Sequence, residues 1–241
     1  MIRKITDKSA CLPSLNGYKL YEALLLKNGK YRLFHPHTKR LMKSAAYFSV
    51  LVTKQKVVQT LLAFARRFGR GSFKVRLFVD ATGKMTVSGK GIVLCRDSAP
   101  RCPTGRVELA RVIMNSADIF LRHKTTHREI YDREYKKYLK KGFYDVIFFN
   151  ERRELTEAHS SNIFIKKNNI FYTPPVSCGL LPGTYRDFLL AKGGKYKEKV
   201  LYKKDLIKAD TVYICNSVRG MRRVGVFNSR FQISSKKRRL T

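Results

Sequence analysis

The sequence predicts a mixed α and β (α+β) protein built as two lobes, with a ligand crevice between them. Three observations lead there. The 241 residues, 44% of them apolar, suffice for a sizeable core, as one large domain or two small lobes. Strand-like and helix-like segments succeed one another without an internal repeat. A stretch concentrated in Pro, Ser and Gly, DSAPRCPTG at 97–105, interrupts the pattern before the midpoint. The expected division is a small N-terminal α/β lobe over 1–97, a linker over 98–105 and a larger C-terminal lobe over 106–241 ending in a basic tail.

Taken in order, YKLYEALLLK at 18–27 has strand content, and Asn28-Gly29 is a hairpin signal before 30–34, so the first two elements should pair antiparallel. Pro36 suits the first turn of a helix that continues through HTKRLMKSAAYF, with Leu41, Ala45 and Phe48 on one face. A second helix over 54–68 carries Val57, Val58, Leu61, Leu62 and Ala65 as its stripe and stops at Gly69. Strands at 73–79 and 84–88 flank the turn Ala81-Thr82-Gly83. Residues 107–121 have a mixed pattern and no assignment. Beyond them the pattern predicts a helix over 128–141, a strand at 144–149, a turn at 151–154, and strands at 161–166 and 170–173. A helix at 184–191, a strand at 198–202, a short helix at 204–209 and strands at 211–215 and 223–227 complete the chain.

Composition narrows the function classes. The longest apolar runs, such as LLAFA at 61–65, are far too short to span a bilayer. The first twenty residues lack the apolar core and small-residue cleavage site of a secretory signal, so a cytoplasmic protein is expected. Cys11, Cys95, Cys102, Cys178 and Cys215 are odd in number and scattered, which fits reduced thiols better than disulfides or a zinc site. The formal charge of +34 invites a nucleic-acid reading, but 23 of the 51 basic residues fall in 1–120 and 28 in 121–241. Even spread favours a generally basic surface over one binding face.

Five short motifs carry chemical potential, each with an ordinary reading beside it. Lys124 in LRHKTTHREIYD would by default be a solvated lysine, and Glu157 in LTEAHSSNIF an exposed acid. HPHTKRL, with Arg40 three residues after His37, could be a plain basic helix face. TPP at 173–175 and LLPGTYR at 180–186 form a loop and a helix start, a common capping arrangement that also binds phosphate. CNSVRG at 215–220 could be simply a turn.

Together and in this order the five motifs resemble the fold-type IV family of pyridoxal-phosphate enzymes, and within it the aminodeoxychorismate lyases; the likeness spans residues 18 to 227. The resemblance implies the two-lobed fold of D-amino-acid aminotransferases and pyridoxal 5′-phosphate as cofactor. It implies that Lys124 holds the cofactor as a Schiff base and moves protons after substrate displaces it. Glu157 would pair with the pyridine nitrogen, and Asn162 would be a structural hydrogen-bonder. Arg40 would grip the phosphate by bidentate contacts, helped by Gly183, the amides of Thr184 and Tyr185, and Ser217. A small anionic substrate with two carboxylates needs at least one arginine, for which Arg219 is the first choice, with Arg76 and Arg128 behind it. Relatives are homodimers. The expected activity is conversion of 4-amino-4-deoxychorismate to 4-aminobenzoate and pyruvate, a step toward folate. The alternatives are an aminotransferase for branched-chain or D-amino acids and a non-catalytic, cationic nucleic-acid-binding protein on this scaffold.

Overall fold

Two sheets organise the chain. The computed structural model describes residues 14–15, 17–94 and 105–227. The first sheet begins with β1 (Leu20–Lys27), which turns through Asn28 and Gly29, both at positive φ, into the short β2 (Lys30–Tyr31). Two helices follow, α1 (Phe34–Tyr47) and α2 (Lys54–Ala65), then the hairpin of β3 (Ser72–Val79) and β4 (Met85–Gly91). The strand order is β2-β1-β3-β4, antiparallel throughout.

Side-chain alternation gives this sheet two unlike faces. Leu20, Leu24 and Leu26 of β1 share a face with Val75, Leu77 and Val79 of β3, and all pack with Leu41 and Ala45 of α1 and Val57, Leu61 and Ala65 of α2. Each such buried Leu or Val contributes roughly 1.5–3 kcal/mol. The other face presents Tyr21 opposite Phe78 and Ala23 opposite Arg76, with Lys74 one step along. That second face is turned toward the crevice.

The second sheet has eight strands. Its elements are β5 (Gly105–Met114), a 3-10 turn (Ile119–Arg122), α3 (Glu129–Leu139), β6 (Asp145–Asn150), β7 (Leu155–Ala158), β8 (Asn162–Lys167) and β9 (Ile170–Thr173). A 3-10 turn (Val176–Cys178), α4 (Thr184–Leu190), β10 (Tyr196–Glu198), α5 (Lys203–Ile207), β11 (Thr211–Asn216) and β12 (Gly220–Phe227) follow. The order is β10-β9-β8-β11-β12-β5-β6-β7, with parallel pairs at β12/β5, β5/β6 and β9/β10. Strand β6 is buried at all six positions. Val146 and Phe148 pack with Tyr131 and Tyr138 of α3, while Ile147 and Phe149 join Ile163, Ile165, Val212 and Ile214 on the far side. A strand covered on both faces reads as a continuous apolar run, as this one does.

Several expectations need correction. Residues 107–121 contain most of β5, an interior strand; its alternation is broken by a register shift between Leu109 and Ile113, which is why the pattern looked mixed. Strand β7 was missed because four residues are too few for a period to show, and it contains Glu157. Leu62 is exposed and Val58 only half-buried, so the α2 stripe is narrower than read. The strand expected at 198–202 lies at Tyr196–Glu198. The proposed linker falls outside the described residues except for Gly105, as do Cys11, Cys95, Cys102 and the basic tail.

Candidate active site

The crevice between the two sheets holds a cavity of about 550 Å³, within the usual range for small-molecule sites. Lys124, Glu157, Arg40, Gly183, Thr184, Tyr185, Ser217, Arg219, Arg128 and Arg76 all line it. Ten positions spread over 180 residues of sequence thus meet in one space.

Lys124 lies on the segment after the 3-10 turn, and that segment is stitched to the first sheet. Leu20 and Thr125 form an antiparallel bridge, the Tyr21 amide donates to the Lys124 carbonyl at 2.9 Å, and the Thr126 amide donates to the Lys19 carbonyl at 2.8 Å. The neighbouring His123 reaches α1, its Nδ1 2.9 Å from the Ser44 hydroxyl. Burial pushes His123 down to about 4, so it stays neutral there. The Lys124 amine itself enters the cavity and donates to the Tyr21 hydroxyl at 3.4 Å. An amine on an ordered element is what nucleophilic chemistry asks for.

Glu157 is buried and held from three directions. The Tyr131 hydroxyl of α3 donates to Oε1 at 3.1 Å, while Asn162 Nδ2 and the Leu181 amide approach Oε2 at 3.4 Å each. Burial pushes its pKa up to about 7, against the pull of Arg128, Tyr131 and Lys124. Such a carboxyl becomes a carboxylate once a cation is placed beside it. Asn162 also donates to the Leu181 carbonyl at 2.9 Å, and a Cβ on Gly183 would stand 1.8 Å from Asn162 Oδ1. Only glycine leaves the Asn162 amide room to support Glu157.

A second cluster of donors gathers around α1 and α4. Arg40 sends Nε to Glu22 Oε1 at 2.9 Å, Nη2 to Glu22 Oε2 at 2.6 Å and Nη1 to the Pro182 carbonyl at 3.0 Å, which engages three of its five N–H groups. His37 bridges the same carboxylate to α4, with Nδ1 2.7 Å from Glu22 Oε2 and Nε2 3.2 Å from the Thr184 hydroxyl. The amides of Thr184 and Tyr185, first in α4, have no acceptor within their own helix. The Ser217 hydroxyl donates to the Ala23 carbonyl at 3.1 Å, so it ties the β11–β12 turn to β1 and would have to turn away to meet an anion. The same turn is shaped by Asn216, whose Oδ1 accepts the amides of Val218 and Arg219.

The remaining wall carries four cations, with Asp132 and Asp145 also lining it. Lys74 and Arg76 project from β3 and Arg219 from the β11–β12 turn, while Arg128 lies over the Tyr131 ring at 4.5 Å and donates to the His159 carbonyl. Burial and the nearby charges of Arg76, Lys124 and Arg219 lower the Lys74 ammonium below its ordinary value. His159 stacks on Tyr135 at 4.1 Å and meets Asp132 at 2.8 Å.

Sequence reading missed Glu22, Tyr21, Lys74, Asp145 and His159 at this site. Two had a visible signal. Glu22 shares parity with Leu20, Leu24 and Leu26, which places an acid on a core face, and Lys74 shares parity with Arg76. Asp145, which accepts the amides of Val146 and His159 and is pushed up to about 7 by burial, and His159 become neighbours only through tertiary structure.

Comparison with known proteins identifies the family. Residues 19–226 match the family described as amino-transferase class IV. A chloroplastic branched-chain-amino-acid aminotransferase of Arabidopsis thaliana is 34% identical over 79 residues, which are 30% of this chain and only 19% of the plant protein. A crystal structure from Mesorhizobium loti, assigned as an amino-acid aminotransferase, superposes with a TM-score of 0.80 at 28% identity, covering 87% of this chain and all of that one. The 4-amino-4-deoxychorismate lyase of Pseudomonas aeruginosa shares the fold, with a TM-score of 0.73 at 19% identity over 88% of this chain and 83% of its own. With the match running over nearly the whole described chain, this protein belongs to the class IV amino-transferase family.

Proposed function

We propose that this chain is a pyridoxal-phosphate-dependent lyase that converts 4-amino-4-deoxychorismate to 4-aminobenzoate and pyruvate, working as a cytoplasmic homodimer. The class IV family depends on pyridoxal 5′-phosphate, and the residues at the site suit that group. Its needs are an amine for the aldehyde, an acid for the ring nitrogen and donors for a phosphate; Lys124, Glu157 and the set of Arg40, Thr184 and Tyr185 amides meet them in one cavity. When bound, the cofactor supplies an electron sink that weakens bonds at the carbon carrying the substrate amine.

The chain's own groups do the rest. Lys124 Nζ anchors the cofactor between turnovers and, once released, takes the proton from the ring carbon bearing the substrate amine. Glu157 would pair with the cofactor's ring nitrogen, which would hold it as a carboxylate and keep positive charge on the ring. Arg40 and the start of α4 fix the phosphate, so the reacting atoms are positioned before substrate arrives. Arg219, Arg76, Arg128 and Lys74 bind and orient the substrate carboxylates.

The observation that carries this reading is the density of cations on the substrate side. Lys74, Arg76, Arg128 and Arg219 line one cavity. A substrate with two carboxylates suits that wall, whereas a branched aliphatic side chain asks for an apolar compartment. The test supplies chorismate, glutamine and an aminodeoxychorismate synthase and measures 4-aminobenzoate and pyruvate in equal amounts. Conversion of the cofactor to its pyridoxamine form by a donor amino acid, with no 4-aminobenzoate, would replace the lyase by an aminotransferase. A dimer by sedimentation is the expected assembly.

A further inference from the structure

We propose that Tyr21 is a second catalytic group of this site, giving its phenolic proton to the departing enolpyruvyl group while Lys124 takes the proton from the ring carbon; this rests on the lyase reading above. The geometry is specific to that residue. The Tyr21 hydroxyl is 3.4 Å from Lys124 Nζ, and the amine lies 4.5 Å from the centre of the Tyr21 ring. The two backbones are also joined, since the Tyr21 amide donates to the Lys124 carbonyl. The ring stacks on Phe78 at 5.7 Å across the β1–β3 register. Phenol and amine are therefore held together by strand pairing and packing, not by two free side chains finding each other.

The other tyrosines around the cavity have different neighbours. Tyr131 donates to Glu157, Tyr135 stacks on His159, Tyr144 accepts from Arg222 at 2.8 Å, and Tyr185 lies under the Arg32 guanidinium at 4.4 Å. Among the described residues Tyr21 alone meets the amine. Its surroundings also suit a proton donor. Burial raises its pKa, but the charges of Lys124 and Arg128 outweigh burial and the opposing Glu22, leaving the phenol below its ordinary value of 10.0. An acid nearer the working pH is a better donor.

The protons balance without an outside reagent. Lys124 Nζ gains one from the ring carbon; the carbon–oxygen bond to the side chain breaks, its electron pair leaving with oxygen. Tyr21 protonates the departing enolpyruvate, which becomes pyruvate. Lys124 then returns its proton to the Tyr21 oxygen across the 3.4 Å contact. Substrate therefore divides into two products with no net uptake of protons.

The test is Tyr21→Phe in the cofactor-loaded enzyme, with two readouts. Borohydride should fix cofactor onto Lys124 as in the parent, which establishes a folded site. Against that, kcat should fall about a hundredfold with KM within about threefold, and the alkaline arm of the kcat–pH profile should move. The second readout does not need turnover: alkaline absorbance titration of cofactor-free parent minus variant should remove one phenol that ionises below pH 10, about the free-tyrosine value. Parental kcat and pH profile in the variant, or a missing phenol that ionises at or above the ordinary value, overturns the assignment. Should the parent fix cofactor yet make no 4-aminobenzoate, the lyase reading fails and the leaving-group role with it, while the titration still reports whether Tyr21 and Lys124 are coupled.

Discussion

The guanidinium of Arg40 and the carboxylate of Glu22 meet edge to edge, with Nε 2.9 Å from Oε1 and Nη2 2.6 Å from Oε2. Glu22 is buried and Arg40 nearly so, and His37 closes the same carboxylate from the other side at 2.7 Å. Glu22 thereby fixes the Arg40 guanidinium at the α4 end of the cavity.

Removing that acid should be costly. Glu22→Ala leaves a buried cation without its partner and is expected to lower stability by about 3–5 kcal/mol, with weaker cofactor retention. Burial alone would raise the Glu22 pKa, but Arg40 and His37 outweigh it and bring it to about 2. A depressed acid stabilises the fold above its unfolded pKa and loses that contribution as pH falls through the folded value. Urea titrations between about pH 2 and pH 4.5 should show the parent losing stability on acidification and Glu22→Gln losing less.

Lys124→Ala should still bind pyridoxal 5′-phosphate through Arg40 and the start of α4, but without the covalent link. Borohydride followed by mass spectrometry should find no cofactor on residue 124, and turnover should fall by about 10²–10⁴. Cofactor fixed elsewhere in the variant at parental rate would remove Lys124 from its role.

Glu157 behaves oppositely to Glu22. Burial raises it to about 7 from an ordinary 4.5, so the folded protein holds that proton more tightly. Its stabilising contribution is therefore present at low pH and is lost as pH rises from about 4.5 toward 7 in cofactor-free protein. Asp145, also up to about 7, acts with the same sign. Glu157→Gln should flatten part of that slope, and in the loaded enzyme it should lower kcat about a hundredfold, since an amide no longer favours charge on the ring.

The substrate-side cations predict a split in kinetic constants. Arg219→Ala and Arg76→Ala should each raise KM about 10- to 100-fold, the worth of one charge-assisted contact, with cofactor absorbance unchanged. A larger effect on kcat than on KM would place these arginines at the reacting atoms instead.

The basic surface can be separated from the active site. Binding of duplex DNA, measured against salt, should weaken steeply as salt rises and should be unaffected by Lys124→Ala. Binding that requires Lys124 would tie the charge to the catalytic cavity.

Sequence by itself pointed to the family, to most of the elements and to ten positions that line the cavity, because each motif is local: a lysine in HKTT, a glutamate before SNIF, an arginine one helical turn from a histidine, a glycine opening a helix. In the folded chain, strand parity puts Glu22 with the core leucines of β1 and Lys74 with Arg76 on β3. Tertiary structure alone decided which groups become partners. Glu22 finds Arg40 and His37 across a strand and a helix, Tyr21 finds Lys124 across 103 residues, and Ser217 finds Ala23 across 194. Such pairs are set by sheet register and by the docking of two sheets on each other, and neither leaves a period in a linear pattern. The bulged β5 and the four-residue β7 escaped for the same reason: a broken or very short alternation is defined by its neighbours and not by its own residues.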